Sequence, residues 1–265
     1  MNDRDPRTRT FDVITYPHKA DSALLAVEKP VALYVNGREV ITLLCTPENL
    51  DELAVGFCRS EGYIESADDL RDVKVDEQAG AVHVEAGEAA EDLNNKPLRR
   101  MVTTGLGKGT MHYHVLEAVQ RGGRLIDSDV TFEAEAVIKC MDELSRSNAL
   151  HSQTRGAHGA ALADARAIRL LRDDIGRHNA VDKLAGRCLM DRQDISRWML
   201  LATGRISSEM LIKTVGMGVP VLCSMAVPTS LAVDLARKTG VTLVGSVRGG
   251  SFTIYSNDQR IIGRE

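Results

Sequence analysis

Residues 198–225, WMLLATGRISSEMLIKTVGMGVPVLCSM, decide the fold class. A short apolar run, WMLLAT, ends in a Gly204-Arg205 turn; Ser207 stands where a helix N-cap belongs, and a second apolar run, VPVLCSM, follows. Apolar runs of strand length separated by one capped helix predict neighbouring strands with the helix laid over them. The rhythm continues on both sides. HGAALAD and AIRLL read as strands ahead of a helix from Arg177, and a helix from Thr229 leads into VTLVGSV and FTIYS. Upstream, TFEAEAVIKCMDEL places Ala134, Val137, Ile138, Met141 and Leu144 at helical spacing. The expectation is an α/β sheet covered by helices on both faces, with its strand-to-helix turns at one edge.

The first third has a different pattern. PVALYVNGREVITLLC (residues 30–45) reads as a hairpin closed by Asn36-Gly37, a type I′ pair. A helix should follow, capped by Thr46 with Pro47 in its first turn, burying Leu50, Leu53, Ala54 and Phe57 and stopping at Gly62. DVKVDEQAGAVHVEA (residues 72–86) reads as a second hairpin. The polar, proline-bearing GEAAEDLNNKPLRR puts a boundary near residues 87–98, giving a small α+β domain over 1–95 and an α/β domain over 96–265.

Composition narrows the function. Of the 265 residues, 43% are hydrophobic and 26% charged, enough for a sizeable core. The net charge of −4 and 4% aromatics argue against nucleic-acid or anionic-membrane binding. The charged start has no apolar leader, and no run approaches the roughly 20 apolar residues of a membrane span. Cys45, Cys58, Cys140, Cys188 and Cys223 are scattered, without Cys-x-x-Cys or zinc spacing, so a reduced cytoplasmic protein without a metal site is expected.

Candidate chemistry sits at the turns of the sheet. RDDIGRHNAVDKL (residues 172–184) crowds Asp174, Gly176, Arg177, His178 and Asn179 around a helix N-terminus, whose apolar stripe is Val181, Leu184, Ala185 and Cys188. Free N–H groups and Arg177 suit an anion; the carboxylates suit an amino-bearing base or ribose hydroxyls; equally, the same residues can serve as a self-capping helix start. Thr203, Gly204 and Arg205 form a second turn, and Pro228, Thr229 and Ser230 a third. SVRGGS, comprising Ser246, Val247, Arg248, Gly249, Gly250 and Ser251, lets a ligand approach backbone beside a forked cation. His158, opening an apolar strand, reads as a structural histidine. MVTTGLGKGTMHYHVLEAV (residues 101–119) has the composition of a phosphate loop but fits neither pattern: Lys108 precedes Gly109 rather than Ser or Thr, and Gly105, Gly107 and Gly109 alternate.

DDIGRHNAVDKL resembles the D-V-G-R-H-N-A-L-D-K signature of the FdhD/NarQ family of formate dehydrogenase accessory proteins. Supporting matches run through NGREVITLLCTPENLDELAVGFCRSEGYI, QTRGAHGAAL, residues 202–236 and VTLVGSVRGGSFTIY. The resemblance implies a cytidine-deaminase-like three-layer α/β/α domain behind the smaller N-terminal domain. It implies a sulfur carrier acting between a cysteine desulfurase and the molybdenum bis(molybdopterin guanine dinucleotide) cofactor of formate dehydrogenase, with GDP-like ligands also accommodated. SVRGGS would contact that cofactor, with residues 174–179, 203–205 and 228–230 as further contacts, in a cytoplasmic homodimer. Deaminase chemistry is not expected, because His158 is followed by Gly-Ala and no P-C-x-x-C supplies zinc ligands. The family's persulfide cysteine falls in the loop written here TTGLGKG, where Leu106, or Gly107 in an ungapped register, takes its place. Whether this is a sulfurtransferase therefore turns on another thiol, with Cys223 as the substitute. The alternative is a guanine-nucleotide or molybdopterin-binding module that no longer transfers sulfur.

Overall fold

The computed structural model describes residues 5–17, 19–87, 90 and 126–263. The TTGLGKG loop, the helix expected through Val115 and Val119, and most of the expected domain boundary lie outside these residues.

The chain begins with a hairpin that the sequence pattern did not reveal, β1 (Thr8–Thr15) paired antiparallel with β2 (Lys19–Ala26). Both of its faces are largely solvated, with Ile14 76% and Tyr16 89% exposed, so no buried stripe marks it in the sequence. β3 (Lys29–Val35) and β4 (Arg38–Cys45) then form the expected hairpin. Asn36 (φ 49°) and Gly37 (φ 75°) both adopt the left-handed backbone that a type I′ turn requires. After α1 (Leu50–Glu61), β5 (Leu70–Asp76) and β6 (Ala81–Ala86) complete a four-stranded sheet ordered β4-β3-β6-β5. Gly62 ends α1 in the left-handed region (φ 81°), as expected. Thr46 does not cap it: its hydroxyl accepts the Ile175 N–H at 3.1 Å instead, tying the two halves of the chain together.

The expected stripe of α1 packs on Val31, Leu33, Val82 and Val84, yet Val55, Gly56 and Cys58 are buried as well. The helix is covered on two sides, because its other face crosses a helix of the larger unit.

That unit comprises β7 (Phe132–Glu133), α2 (Ala134–Ser147), α3 (Ala149–Thr154), β8 (His158–Ala163), β9 (Ile168–Asp174), α4 (Arg177–Met190), β10 (Met199–Ala202), α5 (Ser208–Met217), β11 (Val221–Ser224), α6 (Ser230–Thr239), β12 (Thr242–Arg248), β13 (Ser251–Ser256) and β14 (Ile261–Ile262). Its six-stranded sheet runs β13-β12-β11-β10-β8-β9. The sheet is mixed rather than parallel: β10, β11 and β12 are parallel neighbours, whereas β8, β9 and β13 pair antiparallel. Short turns impose this, since β8–β9 and β12–β13 are too closely linked for a crossover.

Strand residues alternate between two cores. Leu162, Leu200, Leu222 and Leu243 face α4, α5 and α6; Ala161, Leu201, Cys223 and Val244 face α2. Val137, Met141 and Leu144 bury their part of the stripe read in α2. Where α1 crosses α4, Gly56 lies on the Asp182 carbonyl and Gly186 on the Glu52 carbonyl, leaving no room for a methyl at either glycine.

Candidate functional site

The start of α4 separates ligand-facing from structural roles within one signature. Asp174 ends β9 fully buried, and its oxygens accept from Thr46 N–H (3.1 Å), Gly176 N–H (2.9 Å), Asn179 Nδ2 (2.9 Å) and Lys183 Nζ (2.7 Å). Asn179 Nδ2 also donates to the Leu44 carbonyl at 2.9 Å. A side chain at Gly176 would strike Asn179 Nδ2 at 2.8 Å. Asp174, Gly176 and Asn179, expected among the ligand contacts, are thus occupied by one another and by β4. This is the self-capping alternative that the sequence left open. A buried carboxylate with an adjacent ammonium and several N–H donors has no capacity left for a ligand.

Arg177 turns the other way, onto the edge of the sheet where β10, β11 and β12 end. Its stem packs on Gly204, where an added Cβ would meet Arg177 Cδ at 3.1 Å and His158 Nδ1 at 3.3 Å. The Arg177 Nε is buried without a hydrogen-bond partner. Burial and the neighbouring Arg205 both pull Arg177 below the ordinary arginine value. Arg205 itself is exposed. His158 is lowered by burial and then by Arg177, so it stays neutral beside the two guanidinia.

The remaining turns close the same edge. Thr203 accepts the Gly159 N–H through its hydroxyl (3.1 Å), and Ser224 Oγ donates to the Gly204 carbonyl (2.6 Å). Thr229 N–H donates to Ile206 O, and its hydroxyl caps α6 by accepting from Ala232 N–H (3.3 Å), with Ser230 exposed beside it. Arg248 Nη2 donates to Met225 O at 2.7 Å, two strands, or about 10 Å, from the end of β10. Ser246 (φ 57°), Gly249 (φ 61°) and Gly250 (φ 76°) shape the SVRGGS turn, in which Arg248 to Ser251 are exposed while Val247 is buried in the core beneath. The structure therefore gathers Arg177, Gly204, Arg205, Thr229, Ser230 and the SVRGGS turn along one edge. An unpartnered buried guanidinium nitrogen between exposed arginines fits a phosphate-bearing ligand, which would supply the missing acceptor.

His178, one residue further along α4, faces a cavity of about 740 Å³ instead, with Nε2 3.4 Å from Glu209 Oε2 and 3.5 Å from Ser207 Oγ. Burial, followed by Lys213 and Arg177, pushes His178 down to about 3. The folded protein therefore holds it neutral while the unfolded chain titrates near 6.5. Its contribution to stability is complete above about pH 6.5 and is lost as pH falls towards about 3, with a slope of up to about 1.4 kcal/mol per pH unit. Urea unfolding of His178→Gln should show that part of the acid slope removed. Identical slopes for the two proteins would show that His178 carries no such linkage.

Sequence reasoning missed two groups. Lys183 is buried against Asp174, and Lys213 is buried against Asp182 at 2.7 Å, where Ser60 Oγ also donates at 2.7 Å. Nothing in the spacing of Asp182 and Lys213 announces that they meet. The only local signal for Lys183 was a lysine on the apolar side of α4.

Every cysteine is buried. Burial raises Cys45 to about 12 and Cys188 to about 11, and pushes Cys58, Cys140 and Cys223 upward too. Cys223 points into the core under α2, away from the arginine edge, which removes it as a substitute sulfur-bearing thiol. Its neighbour in the strand, Ser224, takes the position at the edge. Native protein should therefore react negligibly with a maleimide at pH 7, whereas urea-unfolded protein should label at all five cysteines. Rapid labelling of one native thiol would contradict this picture.

With that geometry in place, similarity to known proteins is decisive. Residues 26–262 match the model of the FdhD/NarQ family. The chain belongs to the FdhD/NarQ family. Sulfur carrier protein FdhD from Staphylococcus aureus strain MRSA252 is 39% identical over 238 residues, covering 90% of this chain and 89% of that protein. The protein of the same name from strain Newman gives the same identity and coverage. The crystal structure of a putative formate dehydrogenase accessory protein from Desulfotalea psychrophila superposes with a TM-score of 0.78 at 26% identity, covering 96% of this chain and 98% of that one. Among the described residues of this FdhD/NarQ chain, no helix is long and apolar enough to cross a membrane, and no cluster of His, Cys, Asp and Glu could hold a metal ion.

Proposed function

We propose that this FdhD/NarQ chain is an accessory protein for formate dehydrogenase maturation that holds a guanine-dinucleotide molybdenum cofactor along the arginine edge of its sheet. The observation that carries the reading is the buried, unpartnered Nε of Arg177 beside Arg205, an arrangement completed by an anionic ligand. Arg177, Arg205 and Arg248 would engage its phosphates, while the SVRGGS turn offers backbone approach. Bound there, the cofactor supplies the metal chemistry, and the protein supplies binding and orientation. The order β9-β8-β10-β11-β12, an antiparallel hairpin followed by three parallel strands, supports the cytidine-deaminase-like description. The separate core of β3–β6 and α1 supports a division into a small and a large domain.

The burial of all five cysteines favours the second reading, a cofactor-holding module that does not itself carry sulfur. Calorimetric titration with GDP tests the first proposal. Saturable binding is expected, weakened about tenfold or more in Arg177→Ala and Arg205→Ala, since a charge-assisted contact is worth about 1.5–3 kcal/mol. Absence of GDP binding would count against both readings. Complementation of an accessory-deficient strain separates them: the module reading expects rescue by Leu106→Cys but not by the wild-type chain.

A further inference from the structure

The cavity of about 740 Å³ lies on the opposite side of α4 from the arginine edge, and β4 forms one wall of it. β4 is an edge strand, paired with β3 alone. Its phase is fixed by two observations. The Leu44 carbonyl is turned away from β3 to accept from Asn179, and Ala32, opposite Thr42, gives its N–H to Gly80 rather than to β4. Backbone groups two residues apart point the same way in a strand, so Thr42 also presents its N–H and C=O outward, along the cavity. Among the described residues, nothing accepts that N–H. The wall supplies Val40, Leu43, Leu44 and Phe57, with Leu44 47% exposed. The charged lining is Glu39, Glu61, Asp182 and Glu209 against a single ammonium, Lys213, which is already spent on Asp182. His178 adds no positive charge.

An open strand edge, an apolar wall and an acidic floor in one groove match a specific occupant. We infer that β4 receives an extended segment of a partner protein by strand addition, its backbone pairing at Thr42 and Leu44 and a lysine or arginine side chain reaching the carboxylates behind. Strand addition supplies main-chain hydrogen bonds for affinity and alternate side-chain pockets for choice of sequence. The acidic lining selects a basic segment over an acidic one by charge.

The test uses the full chain and a fluorescein-labelled heptapeptide of alternating valine and lysine, followed by anisotropy. Expected is saturable binding, weakened about tenfold or more when glutamate replaces lysine and similarly when alternate peptide amides are N-methylated. Thr42→Pro should weaken binding about threefold to tenfold, the value of one hydrogen bond. It should leave the fold intact, because the N–H it removes does not serve the β3 ladder. The N-methylated peptide asks the same question without altering the protein. Absent saturation, equal binding of the lysine and glutamate peptides, or indifference to N-methylation overturns the proposal. So does a change of sedimentation coefficient in Thr42→Pro, which would assign the edge to a second copy of the chain. Arg205→Ala should bind the peptide normally.

Discussion

Gly56→Ala and Gly186→Ala should each lower the urea unfolding free energy by about 3 kcal/mol or more, the upper end of overpacking costs. The added methyl at residue 56 would overlap the Asp182 carbonyl, and that at residue 186 the Glu52 carbonyl. Both obstacles are backbone within helices, so neither can rotate away as a side chain would. Relief requires α1 and α4 to separate, which opens the core of the small domain and strains the polar ties beside it: Ser60 on Asp182, and Arg172 Nη2 on Glu52 at 2.7 Å. Gly37→Ala is the informative comparison. Its Cβ would meet nothing within 4 Å, so only the strain of φ 75° remains, about 1–2 kcal/mol. If the helix-crossing variants cost no more than Gly37→Ala, the close approach is not what limits stability.

Lys183→Met should cost about 3–5 kcal/mol, because it leaves a carboxylate buried without its cation. Asp174 and Lys183 are each 0% exposed, so water cannot replace the lost partner. Adding Asp174→Asn to Lys183→Met should recover part of the loss, since a neutral amide no longer demands a counter-charge; the recovery, read in a double-mutant cycle, measures the coupling. GDP titration of Lys183→Met reads a second consequence. Asp174 holds the Gly176 N–H and Asn179, and so fixes the first turn of α4 from which Arg177 reaches the sheet edge. Weaker GDP binding should therefore accompany the loss of stability. A cost below about 1 kcal/mol would show that the pair is not the buried, mutually dependent unit described.

These variants mark the limit of what the sequence discloses. The Asn36-Gly37 turn, the Gly62 stop, and the Ser207 and Thr229 caps were legible because each depends on a local backbone requirement that one residue type meets. The strand and helix alternation from His158 onward was legible for the same reason. The β1–β2 hairpin was not, because a strand solvated on both faces leaves no period of burial to read. Nor could Thr46 be assigned correctly. It has the composition of a cap, but its hydroxyl serves Ile175, 129 residues away.

The candidate site divides in the same way. Residues placed at turns by local chemistry, Gly204, Arg205, Thr229, Ser230 and the SVRGGS stretch, do lie on one sheet edge. Within the Asp174–Asn179 stretch, spacing alone could not distinguish ligand contacts from internal braces, since both demand the same polar residues at a helix start. By itself, then, the sequence determined the family, the order of elements and the turns that could bind an anion, because those depend on short-range periodicity and backbone conformation. Only the tertiary structure decided that Asp174 and Asn179 are consumed internally, that Arg177 alone of its turn faces the arginine edge, and that every thiol is sealed in a core. Those outcomes depend on which distant chain segment arrives to donate, accept or exclude water, and that is settled by packing.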